Sequence, residues 1–324
     1  MVRPLYRETE KTLSKESLIR VLNMQHFFYY FLHPKVVASR MLVQYGTWLP
    51  EKTFLKWKFR LIMGYKLNLK NPQTFSEKLQ WLKLYNRRPE YTKMVDKVSA
   101  KDYVASIIGE RYIIPTLGIW NSVEEIEWEK LPNQFVVKST GDSGGVVVCK
   151  DKKMFDKQTA IKKLKKLGER SYYKYNKEYP YKDVPHRYIA EEYMVDESGD
   201  ELKDYKFFCF DGKPQFLFVA TGRQKNDTRF DFYDTDFNHI PVINGHPNSD
   251  VFPTKPQNFT EMLEVARKLS QGIPHVRIDL YNIKGKVLFG EMTFFHWSGM
   301  MPFEPIEWDY IFGEYLKLPV NNGI

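Results

Sequence analysis

The chain is 324 residues long, 43% hydrophobic and 27% charged, enough to bury a full core and to divide into two packed lobes. Its 49 Lys+Arg against 40 Asp+Glu leave a net charge of +9, which directs the search for a partner to anions: a nucleotide, an acidic glycan, a nucleic acid or an acidic membrane surface. Two cysteines, Cys149 and Cys209, each in an apolar run and without a CxxC neighbour, argue against structural zinc and suit a reducing compartment.

Residues 1–20 are polar and read as a tail or frayed helix. The start has no apolar stretch followed by a small-residue cleavage site, so no secretory signal is expected. The longest apolar run nearby, FFYYFL at 27–32, is far short of the ~20 residues that span a bilayer, and a soluble, cytoplasmic protein is expected. Residues 21–66 mix aromatics with Lys and Arg. They read either as an amphipathic helix pair packed on the main body or as an interfacial helix in peripheral contact with the inner membrane face.

At 71–77 (NPQTFSE), Pro72 breaks the chain, and Thr74 with Glu77 has the spacing of a capping box. The helix that follows should bury Phe75, Leu79 and Leu82 on one face. Further helices are predicted over 92–98 and 99–108, the second stopped by Gly109. Residues 113–120 read as a short buried strand broken by Pro115 and Gly118.

The run QFVVK (134–138) is a strand ending on lysine, and 146–150 is another. Between them lies Ser139-Thr140-Gly141-Asp142-Ser143-Gly144-Gly145. Its glycines let backbone approach an anion and its hydroxyls add donors, so it reads as a phosphate-covering flap, while an ordinary glycine-rich hairpin fits the loop equally well. It is not a Walker loop, because a strand follows and no GK[ST] is present. Residues 160–168 form a short basic helix with solvated lysines, and 187–195 form a strand bearing Glu191 and Glu192. Runs 203–210 and 214–222 form a hairpin about Asp211-Gly212. Residues 223–239 are a polar loop with a basic cluster, Arg223, Lys225 and Arg229, and a strand-like run at 230–237. An amphipathic helix over 258–271 should be capped by Asn258 with Glu261, bury Met262, Val265, Ala266 and Leu269, and end at Gly272.

Residues 274–300 organise the rest. Two apolar-rich runs, 276–281 and 286–294, joined by Asn282-Ile283-Lys284-Gly285, read as an antiparallel hairpin. Each carries an out-of-place acid, Asp279 and Glu291, and a carboxylate within a strand is costly unless a cation compensates it. Adjacent strands lie about 5 Å apart, close enough for two carboxylates to share a divalent ion such as Mg²⁺. The alternative is that Asp279 pairs with Arg277 or a lysine and Glu291 is a solvated edge residue.

The runs NPQTFSEKLQWLKLY, FVVKSTGDSGG, DYKFFCFDGKPQF, RIDLYNIKGKVLFGEMTF and EWDYIFGEYLKLP resemble the TupA-like branch of the ATP-grasp superfamily over about 60–320. That branch is found with teichuronopeptide, capsule and other bacterial surface-polysaccharide genes. The resemblance implies an α+β ATP-grasp fold in which two lobes grip ATP. Its parts would be an N-terminal helical extension (1–70), a helical region (71–130), a lobe with flap and hinge (131–195) and a lobe with the metal hairpin (196–324). It further implies that Lys138 reaches the phosphates beneath a flap of Thr140, Gly141, Ser143, Gly144 and Gly145. Glu191, Glu192, Tyr193 and Met194 would be the hinge that reads adenine, with Glu197 and then Asp200 as candidates for the ribose. Lys206 would line the cleft, with a surface strand lysine an equal reading; Arg277 would neutralise developing charge; Asp279 and Glu291 would hold metal. Thr293 stands where the superfamily commonly has Asn, and Asp142 departs from the usual flap, putting a negative charge near phosphate.

The implied reaction is ATP- and Mg²⁺-dependent joining of a glycan carboxylate to an amine through an acylphosphate. Three other classes stay open: a sugar-nucleotide glycosyltransferase, a non-catalytic glycan-binding protein, and a nucleic-acid binder. The last is disfavoured because the 21 Tyr and 23 Phe sit at core spacing and no nucleic-acid motif is present. His296 and Trp297 read equally as acceptor contacts or as packing.

Overall fold

The computed structural model describes residues 34–141, 144–168, 172–199, 202–223 and 227–320, so the expectations placed on 1–33, Asp142, Ser143, Asp200 and Lys225 lie outside the described residues. The chain divides into two compact units, Met1–Lys66 and Leu67–Ile324. The first contains α1 (Pro34–Tyr45) and α2 (Glu51–Met63), which ends at a left-handed Gly64 and buries Phe54, Leu55 and Phe59. No described helix is long and apolar enough to cross a membrane.

The second unit opens with α3 (Phe75–Tyr85), α4 (Glu90–Val95) and α5 (Ser99–Ile108). Then come β1 (Thr116–Trp120), β2 (Phe135–Ser139), β3 (Val146–Cys149), α6 (Lys157–Gly168), α7 (Tyr172–Asn176) and β4 (Tyr188–Glu192). The remainder is β5 (Asp204–Phe210), β6 (Lys213–Thr221), β7 (Arg229–Asp234), β8 (His239–Ile240), α8 (Phe259–Leu269), β9 (Val276–Ile283), β10 (Lys286–Thr293) and α9 (Glu307–Tyr315). The strands form two antiparallel sheets, β1-β4-β2-β3 and β10-β9-β5-β6-β7-β8.

Period-two alternation divides each sheet into a core face and a second face. In the smaller sheet Phe135, Val137, Val147, Cys149 and Ala190 pack with Ala160 and Leu164 of α6. That packing leaves Val136, Lys138 and Glu191 on the opposite face. In the larger sheet Phe207 and its cross-strand partners Leu217 and Ile278 face α8, whose Met262, Val265, Ala266 and Leu269 are buried as the periodicity predicts. The other face therefore carries Lys206, Asp279 and Phe218 in one cross-strand row.

Local signals explain most element ends. The Thr74 hydroxyl accepts from Glu77 N at 3.1 Å, and the Glu77 carboxylate accepts from Thr74 N at 3.3 Å and also from Asn68 N and Gln73 N at 3.0 Å each, so the predicted box is formed. Both tight hairpins turn on two successive left-handed residues, Asp211-Gly212 (φ 46° and 76°) and Lys284-Gly285 (φ 51° and 81°), the twist that suits two-residue hairpin loops.

Three local expectations are corrected. The helix expected over 92–98 is α4, Glu90–Val95, because Asp96 leaves helical geometry and its carboxylate accepts from Val98 N and Ser99 N at 3.3 Å each, starting α5. The strand expected to be buried is β1 at a sheet edge, bulged between Thr116 and Gly118, with Ile119 45% exposed; Pro115 fits that edge position. Asn258 makes no cap hydrogen bond to α8. Its amide instead bonds the Gly285 carbonyl in the β9–β10 turn, and Glu261 reaches Tyr112 at 2.8 Å.

Helix α9 is tied to the start of α3 by Ser76 N, which donates to Asp309 Oδ1 at 2.8 Å. Burial pushes the Asp309 carboxyl up to about 6, with the bond from Ser76 pulling back. An unfolded aspartate releases its proton near 4, so between about pH 4 and 6 the folded chain holds a proton that the unfolded chain has lost, and stability falls as pH rises through that window. Asp309→Asn, measured by urea unfolding, is expected to be more favourable relative to the parent at pH 7 than at pH 4 by about 3 kcal/mol. A pH-independent difference would remove this assignment.

Candidate active site

The site is built on the second face of the larger sheet, and its key local device is a bulge. From the β9–β10 turn the register runs Lys286 opposite Ile283 to Phe289 opposite Leu280, then shifts by one so that Glu291 lies opposite Asp279 and Thr293 opposite Arg277. Without the shift Glu291 would fall opposite Ile278, on the buried face against α8. Gly290 is the extra residue. A Cβ there would stand 3.0 Å from the Asp279 carbonyl and 3.1 Å from the Tyr281 ring, which is why the bulge carries glycine.

Arg277 and Lys206 are the cations at the centre. Arg277 donates from Nε to Asp279 Oδ1 at 2.7 Å, and from one terminal nitrogen to Asp279 Oδ2 at 2.8 Å, Thr293 Oγ1 at 3.0 Å and Glu291 Oε1 at 3.3 Å. Its other terminal nitrogen meets His296 Nδ1 at 2.7 Å, and His296 Nε2 lies 2.8 Å from Asn244 Oδ1. An arginine can only donate, so His296 Nδ1 accepts and its proton sits on Nε2. Burial, then Arg277, holds the His296 pKa well below its ordinary value, in keeping with that neutral ring. Lys206 Nζ bonds Asp279 Oδ2 and lies 2.7 Å from Asp204 Oδ2. Arg223 reaches the same Asp204 oxygen at 2.9 Å.

These contacts decide how the acids are compensated. Asp279 is held by Arg277 and Lys206, as the ion-pairing alternative supposed, while Glu291 remains 44% exposed on the same face. Burial pushes the Asp279 carboxyl up, against the pull of Arg277 and Lys206. Burial also acts upward on Glu291, but Lys206, Arg277 and Lys97 outweigh it and hold that carboxyl at about 2.

Across from this face stands the smaller sheet. Lys138 Nζ lies 2.5 Å from Glu191 Oε2, and Lys101 Nζ of α5 lies 2.5 Å from Glu191 Oε1. Burial would raise the Glu191 pKa, yet the two lysines bring it below the ordinary carboxylate range. Between the sheets is a cleft of about 420 Å³ whose lining includes Lys138, Gly144, Glu191, Lys206, Arg277, Glu291 and Thr293. Asp279 lies behind its Arg277 and Lys206 partners.

Other expected residues are placed elsewhere. Thr140 is fully buried; its N–H donates to the Arg187 carbonyl at 2.9 Å and its hydroxyl donates to the Pro185 carbonyl at 2.7 Å, so it anchors the base of the flap instead of facing the cleft. Gly141, Gly145, Glu192, Tyr193 and Met194 are not among the lining residues. Glu197 pairs with Lys203 at 3.2 Å on a turn whose centre is the buried Asp196.

Sequence reasoning passed over Lys101, Asp204 and Tyr181, all of which line the cleft. Lys101 had a readable signal: a cation in the first turn of a helix opposes the macrodipole and calls for an anionic partner. Asp204 had one too, as an acid opening the apolar run DYKFF.

Among the described residues no three His, Cys, Asp or Glu side chains gather as a protein-made metal centre. The donors present do fit a Mg²⁺ that arrives on phosphates with its own waters: they are hard oxygens only, and Glu291 is accessible with Thr293 Oγ1 3.3 Å from its Oε1.

Among solved structures, the chain is similar to a D-alanine–D-alanine ligase from Bacillus anthracis complexed with ATP, at 14% identity and a TM-score of 0.36, covering 62% of this chain and 53% of that one. It is also similar to the D-alanine–D-alanine ligase from Helicobacter pylori (15% identity, TM-score 0.40, 75% and 69% covered). D-cycloserine synthetase DcsG is a further neighbour (16%, 0.39, 69% and 69%). The chain spans about half the length of the Bacillus anthracis ligase. No curated protein matches the sequence. The family model for TupA-like ATPgrasp matches residues 77–317, well over half of the chain and all of the strands around the cleft, and the protein therefore belongs to the TupA-like ATP-grasp family.

Proposed function

We propose that the protein is an ATP- and Mg²⁺-dependent carboxylate–amine ligase of bacterial surface-polysaccharide biosynthesis, making capsule, O-antigen or teichuronopeptide material. The observation that carries the reading is the concentration of Lys138, Lys206 and Arg277 around one cleft with an accessible Glu291 beside Arg277. Several cations converging on one cavity suit a polyphosphate, and the accessible acid suits the metal that travels with it. The net charge of +9 supports an acidic glycan as the other partner. Residues 131–195 and 196–324 would be the two halves that grip the nucleotide; the backbone of Glu192 to Met194, continuing β4 past the cleft-lining Glu191, with Glu197, would reach its base and ribose at the cleft's margin.

A substrate carboxylate oxygen bonds to the γ-phosphorus as the bond to ADP breaks. The amine nitrogen then bonds to the acyl carbon, phosphate leaves, and the amine gives up a proton. Glu291 and Thr293 would hold Mg²⁺, which when bound screens charge on the phosphoryl oxygens, while Asp279, expected beside them, is taken up by Arg277 and Lys206 and fixes both cations. The chain's own part is electrostatic and positional. Lys138 sits near the end of β2, just before the glycine-rich loop in sequence, with its ammonium restrained by Glu191, so it is directed before a nucleotide arrives. Arg277 is fixed on three sides by Asp279, Thr293 and His296, and presents a guanidinium that costs little to reorganise as charge develops. Burial of the larger sheet's second face keeps water from the acylphosphate.

The test measures phosphate release from ATP with Mg²⁺ across a panel of uronic acids and amines, alongside nucleotide-induced shifts in Tm. Release that requires both a carboxylate and an amine is expected, with ATP and not a UDP-sugar raising Tm. Stabilisation by the UDP-sugar alone would favour glycosyl transfer and discard ligation.

A further inference from the structure

The end of the cleft beyond β6 has a chemistry that phosphate transfer does not use. Phe218 on β6 and Phe230 on β7 continue the face that carries Lys206 and Asp204, and Trp297 packs beside Phe230 with ring centroids 6.3 Å apart. The indole is 40% exposed and lines the cleft together with Arg223.

The backbone that presents it is strained. Trp297 (φ 47°), Ser298 (φ 58°) and Gly299 (φ 61°) are left-handed in succession. For residues other than glycine that region is disfavoured and persists only where the surroundings enforce it. Here they do: the buried Lys83 donates to the Ser298 carbonyl at 2.8 Å and to its hydroxyl at 2.6 Å, and the buried Gln80 donates to the Ser298 and Gly299 carbonyls at 3.0 and 2.9 Å. On its other side the indole rests on Gly245, where a Cβ would stand 2.9 Å from the ring. Two buried polar side chains of α3 and a bare glycine thus hold one broad aromatic surface against the cleft. The same turn supplies His296, which braces Arg277.

Arg223 complements it. Its side chain is 47% exposed, and the bond to Asp204 uses one of the five N–H groups of a guanidinium. A flat aromatic surface and a forked cation lining one cleft match a ring with an apolar C–H face and a carboxylate.

We propose that Trp297 and Arg223 form a subsite for a uronic-acid residue of the substrate glycan, the indole stacking on the sugar ring and Arg223 taking the carboxylate. This rests on the ligase reading and names the acceptor class for the same cleft. The adenine of a nucleotide would also stack, and nucleotide binding by the Trp297 variant distinguishes the two occupants.

The test is equilibrium binding, without turnover, of oligogalacturonate and of a neutral maltooligosaccharide to the parent, Trp297→Ala, Trp297→Tyr and Arg223→Gln, each checked for an unchanged unfolding midpoint. The parent is expected to prefer the acidic oligomer. Trp297→Ala should weaken that binding at least tenfold, Trp297→Tyr should retain most of it, and Arg223→Gln should abolish the preference for acidic over neutral sugar. The proposal is overturned if the parent binds neither oligomer, if Trp297→Ala binds as the parent does, or if nucleotide binding falls in step with glycan binding in that variant. Because binding is read directly, glycan affinity without any carboxylate-dependent phosphate release would sink ligation and leave the subsite standing.

Discussion

Arg277→Met is expected to lower carboxylate-dependent phosphate release by about 10³-fold, the scale for removing a preorganised charge from a reacting centre. It is also expected to destabilise the fold by about 3–5 kcal/mol, because a buried partner of an ion pair is left behind. The two effects have separate origins and can be separated. Asp279 is buried and takes two of the guanidinium's bonds, so with Arg277 gone its carboxylate keeps Lys206 alone, while His296 Nδ1 loses its donor. In the double variant Arg277→Met/Asp279→Asn the unpaired charge is gone, and most of the lost stability should return. Activity should not return, since the cation that faces the transferred group is still missing. A double variant as unstable as the single one would mean that the destabilisation lies in packing against Phe218, 5.8 Å from the guanidinium, and not in electrostatics.

Glu291→Gln is expected to shift the balance the other way: activity falls by about 10²-fold or more while the unfolding free energy changes by only about 1–2 kcal/mol, the cationic pull on its carboxylate being partly screened by solvent. Its side chain is 44% exposed and its hydrogen bonds are long, 3.3 Å to Arg277 and 3.3 Å to Thr293 Oγ1, so less of the folded state depends on it than on Arg277. Its proposed task is to hold Mg²⁺, and an amide oxygen keeps the shape but gives up the charge. The Mg²⁺ concentration for half-maximal phosphate release should therefore rise at least tenfold, and excess Mg²⁺ should recover part of the rate. A loss of rate with an unchanged Mg²⁺ requirement would remove Glu291 from the metal set and leave it as a partner of Arg277.

The two variants differ because of where the bulge at Gly290 puts their side chains. Asp279 and Arg277 belong to an inner strand with neighbours on both sides, whereas Glu291 belongs to β10 at the sheet edge. A sequence displays acids inside strands but not the register that faces one toward another. The residue spacing alone permitted a hairpin in which Glu291 pointed into the α8 core, and only the one-residue shift between Phe289 and Glu291 excludes it.

Local determinants were legible wherever a short span of chain decides the outcome. The Thr74–Glu77 box, the two-residue turns at Asp211-Gly212 and Lys284-Gly285, the buried stripe of α8 and the stop at Gly109 depend on propensities and bonds within a few residues. Expectations failed where a distant partner offered a polar group something better. Asn258 leaves its helix cap for the Gly285 carbonyl, and Thr140 leaves the flap surface for Pro185 and Arg187, because a buried donor goes to the acceptor that desolvation makes most necessary.

By itself, then, the sequence determined the helices and hairpins, the family, and the identity of the charged residues that strand periodicity cannot bury cheaply. The tertiary structure decided which charges meet. Lys101 and Lys138 close on Glu191 from different elements, Arg277 and Lys206 close on Asp279, and Trp297 is turned into the cleft by side chains of α3 more than 200 positions earlier. The physical reason is range: backbone preferences act over a turn or two of chain, whereas desolvated charges and strained backbone are stabilised only by partners that folding brings within about 3 Å.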